Sequence, residues 1–458
     1  MLQYKNTANQ EGPARPVGAK IGNPYRYVSF LFIEVMLIGS LLLSLPIATR
    51  SGESTPYIDA LFTAVSAVAI TGLTTVDTHL HWSTFGQIVI IVLCQLGGLG
   101  IMTFTTLVAV LFGRRIGLQD RLSLQASMEE GSFQGLIRLV KRIVFFTFTT
   151  EFVGGIIYTV QLYPYFQEQS LYYGFFQSVS AFCNAGFVFF DNTLPYKMVD
   201  DWLYTLNTSA LILIGGLGFT VIFDVSKNYK RGFPYFSLHS KVMLYGSLGL
   251  VLVGVFMIGL LEWNNPATLG ALSMSGKIQA TIFQAITPRS GGLATLDYNT
   301  MFDNTQLFTI WLMFIGAGPG STGGGVKVTT IVVLLLAGLA IFKGRKEVRL
   351  FERTVPHTIV YRALTTMLFS MILVLVGTFL LASLESFSML HIMFEVTSAF
   401  ATVGLSMGIT PELSTPSKMV LIVLMYAGRV GMITFIGSLA LRYRRKDRIN
   451  YPEGHIIV

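Results

Sequence analysis

Charged residues are scarce in this chain. Asp, Glu, Lys and Arg make up 12% of its 458 residues, whereas hydrophobic residues make up 52%. Because a soluble globular domain carries about 25% charged residues, the composition excludes that class. A mean hydropathy of +0.62 indicates an integral membrane protein instead.

Cysteine and histidine are equally rare. The two cysteines, Cys94 and Cys183, lie in apolar segments, and the six histidines show no ligand-like spacing. These absences exclude a disulfide scaffold and leave no set of metal ligands. No nucleophile–base pair is recognisable either. The sequence therefore predicts a protein that is not an enzyme and has no covalent cofactor, and we expect no nucleic-acid partner.

Apolar runs of about 20 residues, long enough to cross a bilayer, recur along the chain. Eight are recognisable, at 27–47, 85–112, 139–161, 203–223, 242–261, 307–342, 360–383 and 418–441. An even number of crossings puts both termini on the same side. Most Lys and Arg residues lie in the termini and in the loops at 113–142, 225–241 and 343–362. The positive-inside rule therefore predicts that both termini are cytoplasmic.

A short motif occurs four times between these runs. Each copy is an apolar segment too short to cross the membrane, followed by a glycine turn. The segments cover 57–69, 171–183, 278–288 and 388–401. The turns are Ile70-Thr71-Gly72, Asn184-Ala185-Gly186, Ser290-Gly291-Gly292 and Thr402-Val403-Gly404. We interpret the segments as re-entrant pore helices and the turns as filter loops around a pseudo-four-fold pore.

The chemistry of these turns suits a dehydrated cation. Non-helical backbone is tolerated at membrane depth only where it is buried in protein or lines water. Glycine adopts positive φ and lets neighbouring carbonyls face the same way, so four turns could replace the hydration shell of potassium. Thr402-Val403-Gly404 is closest to the Thr-Val-Gly core of potassium-channel filters. A glycine in all four turns favours potassium over sodium.

The sixth apolar run is interrupted in its middle by residues that cannot sustain a helix. They are Gly316, Gly318, Pro319, Gly320, Ser321, Thr322, Gly323, Gly324 and Gly325. We interpret this segment as a loop beneath the turns that blocks or clears the pore, and a passive kink is the alternative. A nucleotide phosphate loop is excluded because the Gly-Lys-Ser/Thr order is missing.

Arg429 lies inside the last apolar run. A guanidinium in the membrane is costly and by default functional. On the pore axis it would repel a cation until it is drawn aside, so the sequence predicts a second part of the gate. A buried ion pair with Glu151 or Glu34 is the alternative, and it is compatible with gating.

With these motifs, residues 27–445 resemble the Trk/Ktr/HKT superfamily of potassium transporters, and most of all its Ktr branch, since no extra helix pair precedes residue 27. The resemblance implies that Gly72, Gly186, Gly292 and Gly404 are the filter glycines. It also implies a bacterial plasma membrane, a homodimer with one pore per subunit, and a cytosolic nucleotide-binding ring (ATP or ADP) that regulates opening.

The predicted fold is an all-α membrane protein with four repeats of helix, pore helix with filter loop, and helix. Its predicted parts are an N-terminal segment, four repeats of which the third has a broken inner helix, and a C-terminal tail: 1–26, 27–113, 114–224, 225–343, 344–445 and 446–458. The predicted function is potassium uptake through a gated, channel-like pore. A sodium-coupled potassium carrier is the alternative, and the sequence leaves sodium dependence open.

Overall fold

The computed structural model describes residues 24–100, 103, 136–191, 193–345 and 347–439. This part of the chain is mostly helical, and a long helix, a short helix and a second helix follow one another four times. The predicted cytoplasmic N-terminal segment up to residue 23, the basic loop at 104–135 and the chain from residue 440 lie outside the described residues.

The helices group into four units in chain order. The first unit contains α1 (Pro24–Leu43), α2 (Tyr57–Val68), α3 (Thr78–His81) and α4 (Thr84–Leu99). The second contains α5 (Leu136–Phe166), α6 (Ser170–Phe182), α7 (Leu194–Lys197), α8 (Trp202–Leu217) and α9 (Phe219–Asn228). The third contains α10 (Leu238–Glu262), α11 (Met274–Ile286), α12 (Asp303–Phe314) and α13 (Val328–Phe342). The fourth contains α14 (His357–Leu384), α15 (Met389–Ala401), α16 (Thr415–Val430) and α17 (Met432–Leu439).

The long and short helices of each unit differ in what they bury. The long helices α1, α5, α10 and α14 are long and apolar enough to cross a membrane, and the bent pair α8 and α9 adds a fifth if it is counted as one span. Large apolar side chains on their outer faces, such as Phe256 and Phe379, are exposed. Such faces suit contact with lipid, so the core lies inside the ring of long helices.

The short helices α2, α6, α11 and α15 form the centre of that core. They have 12 or 13 residues, which is too short to cross a bilayer. Their side chains are mostly buried, and Phe62, Phe283 and Phe394 are almost completely covered. These helices lie where the sequence predicts re-entrant helices.

Acidic side chains fix the chain as it returns from the turns. The Asp77 carboxylate accepts hydrogen bonds from the backbone N–H groups of His79 and Leu80 at 2.8 and 2.7 Å. Asp201 caps the start of α8, and Asp297 caps a 3-10 turn before α12. Each cap satisfies N–H groups that have no partner inside a helix.

Two inner helices that the sequence predicts as continuous are broken. The predicted run 203–223 bends by 96° between α8 and α9 at Gly218, and the run 418–441 is interrupted at Gly431. Both glycines have positive φ, 94° and 86°, which ends the regular helical hydrogen bonding. Hydropathy continues across each break, so the apolar pattern does not reveal it.

A short hairpin lies in the predicted basic loop at 343–362. Strand β1 (Val348–Leu350) pairs antiparallel with β2 (Arg353–Val355). Phe351, at the tip with positive φ, stacks on Tyr245 of α10 with ring centroids 5.7 Å apart. The all-α prediction missed this hairpin because three-residue strands leave almost no periodic signal.

Candidate functional site

The four glycine turns meet at one centre. A Cβ atom built on Gly72 would lie 2.8 Å from the Cα of Gly186, and one on Gly186 would lie 3.1 Å from the Cα of Gly292. A Cβ on Gly404 would lie 3.1 Å from the Cα of Gly72. The turns therefore follow one another around a ring in chain order, and the fourth closes on the first.

All four turns have the same backbone conformation. The glycines have φ of 89°, 71°, 69° and 94°, and the residue two positions earlier is also left-handed in each turn. These residues are Ile70, Asn184, Ser290 and Thr402, with φ of 56°, 56°, 67° and 51°. A left-handed residue other than glycine costs about 1–2 kcal/mol. Its occurrence at four matching positions is a constraint of the site.

A hydroxyl on each short helix holds the turn that follows. Ser66 Oγ accepts from the N–H of Gly72 and Ser398 Oγ from the N–H of Gly404, both at 3.0 Å. In the other two units the hydroxyl donates to a carbonyl just beyond the glycine. Ser180 donates to Phe187 at 2.7 Å, and Thr287 donates to Leu293 at 2.5 Å. In each unit this hydroxyl lies four residues after a phenylalanine, a sequence spacing that could have pointed to these clamps.

Backbone carbonyl oxygens occupy the space between neighbouring glycines. A Cβ on Gly72 would lie 2.5 Å from the carbonyl oxygen of Ala185, and a Cβ on Gly404 would overlap that of Thr71. A Cβ on Gly292 would overlap the carbonyl oxygen of Val403. The centre is therefore bordered by carbonyl dipoles, which are ligands for an alkali cation. A side chain at any of these glycines would displace them.

Polar side-chain atoms of the turns lack partners within the described chain. They are buried and belong to Thr71, Asn184, Ser290 and Thr402. Buried polar atoms are normally hydrogen-bonded, so this set is unusual. Three of the four hold the left-handed position, and Ile70 is the apolar exception. Amide and hydroxyl oxygens here are suited to a cation or its water.

The glycine-rich segment, residues 316–325, packs directly beneath the turns. A Cβ on Gly324 would overlap Thr402 Oγ1, and a Cβ on Gly323 would lie 3.0 Å from Ser290 Oγ. The N–H of Gly318 donates to the carbonyl of Gly216 at 2.9 Å. The segment is thus wedged between two turns and the end of α8, and it contacts the polar side chains just described.

Thr322 anchors the segment to the second unit. Its N–H donates to the carbonyl of Gly215 at 3.1 Å, and its hydroxyl donates to the carbonyl of Phe182 at 3.2 Å. At the ends of the segment, Ile315 and Val326 pair side by side. The segment is consequently a loop whose two ends lie side by side.

Arg429 holds the same segment from the opposite side. Its Nη1 donates to the carbonyl of Thr322 at 2.6 Å, and its Nη2 donates to the carbonyl of Gly97 on α4. Gly98, Gly323 and Arg429 line one small cavity of about 100 Å³ below the turns. The guanidinium therefore links the first unit to the loop of the third.

The alternative of an ion pair between Arg429 and an acid is not what the structure contains. In the described ranges the ion pairs are Arg349–Glu347 and Lys418–Asp59. Glu151 instead accepts from Gln95 Nε2 at 3.3 Å, and Glu34 is on an exposed face of α1. Backbone carbonyl oxygens accept from both terminal nitrogens of the arginine instead, and its Nε has no partner within the described residues.

Glycines of the inner helices serve close packing. A Cβ on Gly97, Gly215 or Gly428 would overlap the carbonyl oxygen of Val68, Phe182 or Phe400, respectively. Each of these carbonyls belongs to the end of a short helix. The inner helices can approach the re-entrant helices this closely only because a hydrogen replaces the side chain.

Comparison with known proteins defines the class. The profile of the TrkH family, described as a cation transport protein, matches residues 19–442. The chain therefore belongs to the TrkH family of cation transport proteins. This family consists of ion transporters, and membership in it indicates no enzymatic activity. The sequence-based assignment to this superfamily is confirmed.

Individual relatives are similar along almost their whole length. The chain is 42% identical to the Ktr system potassium uptake protein B of Bacillus subtilis, with 94% of this chain and 96% of that protein covered. It is 38% identical to the protein of the same name from Vibrio alginolyticus, covering 96% and 95%. It is 37% identical to the potassium/sodium uptake protein NtpJ of Enterococcus hirae, covering 95% and 97%.

The fold also matches a solved structure. The crystal structure of the potassium transporter TrkH from Vibrio parahaemolyticus superposes with a TM-score of 0.75 at 18% identity, covering 94% of this chain and 88% of that one. At this identity the likeness establishes the architecture alone.

Proposed function

We propose that this chain is the potassium-translocating, channel-like subunit of an uptake system in the bacterial plasma membrane. The observation that carries the proposal is the ring of four glycine turns with one shared left-handed backbone pattern. The names of two relatives, both potassium uptake proteins, support potassium as the ion. Potassium is the transported cargo and not a cofactor.

The proposed filter comprises residues 70–72, 184–186, 290–292 and 402–404. The C-terminal ends of α2, α6, α11 and α15 lead into these turns, so the negative ends of four helix dipoles favour a cation at the ring. Carbonyl oxygens then replace water around the ion. The hydroxyl clamps keep the ring from contracting around a smaller ion.

The proposed gate consists of the glycine-rich segment and Arg429. The segment lies under the turns and leaves only a small cavity beside it. Arg429 holds it through the carbonyl of Thr322, and its charge opposes an approaching cation. Opening requires the arginine to release that carbonyl and the loop to move aside.

The proposal includes the topology and the assembly. We propose eight crossings, both termini in the cytoplasm, and four repeats with the boundaries predicted from the sequence. We further propose a homodimer under the control of a cytosolic ring that binds ATP or ADP. The words "Ktr system" in the names of the relatives support a transporter that works with other components.

A sodium-coupled potassium carrier is the second candidate. The potassium/sodium uptake protein NtpJ is the relative that favours it. A carrier moves ions in a fixed ratio, whereas a pore follows the electrochemical gradient of each ion.

Flux measurements in proteoliposomes test the two candidates. Potassium uptake is recorded at a series of imposed membrane potentials, with and without sodium, using protein-free vesicles as the control. We expect uptake to follow the potassium gradient and to reverse when the gradient is reversed. Uptake that requires sodium at a fixed ratio, independent of the potential, would establish the carrier and contradict the pore.

A further inference from the structure

Glu395 is a completely buried acid on the short helix α15, directly after Phe394. Its carboxylate accepts a hydrogen bond from Ser406 Oγ at 2.9 Å and another from Thr410 Oγ1. Both donors lie on the chain that returns from the fourth turn, beyond Gly404. The carboxylate therefore ties the return of this turn to the helix that precedes it.

The matching positions in the other units have no acid. Each follows the phenylalanine of its short helix, and they are Thr63, Gln177 and Gln284. Gln284 makes a neutral version of the same link, because Tyr298 donates to its Oε1 at 2.5 Å and its Nε2 donates to Thr295 Oγ1 at 3.4 Å. Within the described residues, Thr63 bonds only to its own helix, at the carbonyl of Asp59.

Hydrogen bonds, and not a cationic side chain, stabilise the Glu395 carboxylate. Within the part of the chain that the structure describes, Glu395 forms no ion pair. A buried carboxylate is costly unless hydrogen bonds satisfy it, so the two hydroxyl donors are required where they are. The same Ser406 also accepts from the N–H of Gly408 at 2.9 Å. The hydrogen bonds that begin at Glu395 thus continue through Ser406 to Gly408 in the chain that follows the fourth turn.

We propose that Glu395 is a positioning residue that sets ion discrimination by fixing the fourth turn through its hydrogen bonds. The inference rests on the proposed potassium pathway. Ser398, one turn further along α15, holds the N–H of Gly404, and Glu395 holds the return beyond that glycine. With both ends fixed, the carbonyls of this turn keep their distance from the axis.

Substitutions separate this role from a general structural one. Glu395→Ala removes the acceptors of both hydrogen bonds, and we expect the potassium-to-sodium permeability ratio to fall at least about fivefold, the ratio that corresponds to the loss of one of them. Glu395→Gln retains an acceptor in the arrangement that Gln284 has in the third unit, so its ratio stays within about twofold of the wild type. Glu385→Ala, at a half-buried acid that lies outside the short helix and bonds Ser414, is the matched control and leaves the ratio unchanged.

If Glu395→Ala does not fold, a second variant tests the same hydrogen bonds. Thr410→Val removes one donor, lowers the ratio in the same direction, and adds nothing further when combined with Glu395→Ala. The inference is overturned if folded Glu395→Ala or Thr410→Val keeps the wild-type ratio, or if Glu395→Gln is as damaging as Glu395→Ala. A wild type that does not discriminate the ions contradicts the proposed function instead. In that case the melting temperature tests the hydrogen bonds of Glu395 directly. If Glu395→Ala melts at the wild-type temperature, these bonds do not hold the fourth turn.

Discussion

At the scale of single residues, the site depends on backbone conformations that side chains normally avoid. Ile70, Asn184, Ser290 and Thr402 are left-handed without being glycine. Such conformations persist only where the surroundings over-determine them. Here the hydroxyl clamps and the backbone hydrogen bonds to the short helices supply that constraint.

The filter glycines give the first prediction. Gly404→Ser places a Cβ against the carbonyl oxygen of Thr71 at a φ of 94°, so the turn must move. We expect the potassium-to-sodium ratio to fall about tenfold or more while the protein still inserts, since one lost carbonyl ligand is worth at least about 1.4 kcal/mol. Gly338→Ser, at a glycine with open space around it, is the matched control. Unchanged ion discrimination after serine substitution of all four filter glycines would contradict the assignment.

Arg429 gives the second prediction. Arg429→Ala removes the link to the carbonyl of Thr322, and hydrogen bonds from a charged group are worth about 1.5–3 kcal/mol. We therefore expect potassium flux per folded protein to rise about tenfold, whereas Arg429→Lys keeps the charge and changes flux less. Arg349→Ala, at an exposed arginine, controls for loss of charge. A lower melting temperature with no gain in flux would instead assign Arg429 a purely structural role.

His81 gives a prediction for pH. Burial lowers the pKa of His81 below 6.5, partly opposed by the nearby Asp59, and its Nε2 lies 2.8 Å from Thr55 Oγ1. The folded protein thus binds this proton less readily than the unfolded chain. Its contribution to stability is full above pH 6.5 and is lost as the pH falls through the lowered pKa. Melting temperatures should fall more between about pH 7 and 5.5 in wild type than in His81→Gln; identical slopes would refute this.

At the scale of elements, the glycine-rich segment is a loop whose two ends lie close together. Ile315 pairs with Val326, and the N–H of Val328 donates to the carbonyl of Ala317 at 3.3 Å. The chain can consequently be rejoined after residues 318–325 are deleted. α12 and α13 would keep their positions.

Deletion of residues 318–325 gives the prediction at this scale. Because the proposed gate lies in the space under the turns, we expect the shortened protein to conduct potassium about tenfold faster in proteoliposomes without any cytosolic partner, as loss of its anchoring hydrogen bonds would allow. Gly338→Ser, at a glycine outside the segment with open space around it, is the control. A shortened protein that folds but conducts no faster would make the segment a passive kink.

The sequence predicts the short helices well and the inner helices less well. Phe62, Phe176 and Phe394 repeat at the same distance before a glycine turn, so α2, α6 and α15 could be located from the pattern. The breaks at Gly218 and Gly431 could not, because apolar residues continue on both sides and only the positive φ reveals them. Tertiary contact, not local propensity, decides whether a glycine in a helix breaks it.

The partners of the site residues were equally hidden from the sequence. The position of Arg429 in an apolar run suggested an acidic partner, since a buried charge is normally paired. The structure uses the carbonyls of Gly97, near the end of α4, and of Thr322, in the glycine-rich segment. Glu395 gave no signal at all, because its two donors become neighbours only when the fourth turn folds back.

At the scale of the whole molecule, four units must close into a ring although the chain is linear. Closure brings the fourth unit against the first. Lys418, at the start of α16, forms an ion pair with Asp59 in the first turn of α2 at 2.9 Å. Tyr426 of α16 also donates to the carbonyl of Ser29 on α1 at 3.2 Å. These contacts join the two ends of the repeat array.

Ring closure gives the last prediction. The side chains of Lys418 and Asp59 are only 11% and 15% exposed, so removing one partner leaves a poorly solvated charge. We expect Lys418→Met or Asp59→Asn to lower the melting temperature in detergent by about 2–4 °C. The double variant should cost no more than the worse single one, because both remove the same interaction. Arg349→Ala breaks a pair exposed by 67% and 48% and should change the melting temperature by less than about 1 °C. If the effects of Lys418→Met and Asp59→Asn simply add, the two side chains act independently, and the ring is closed by the packing of α16 against α1 and α2 instead.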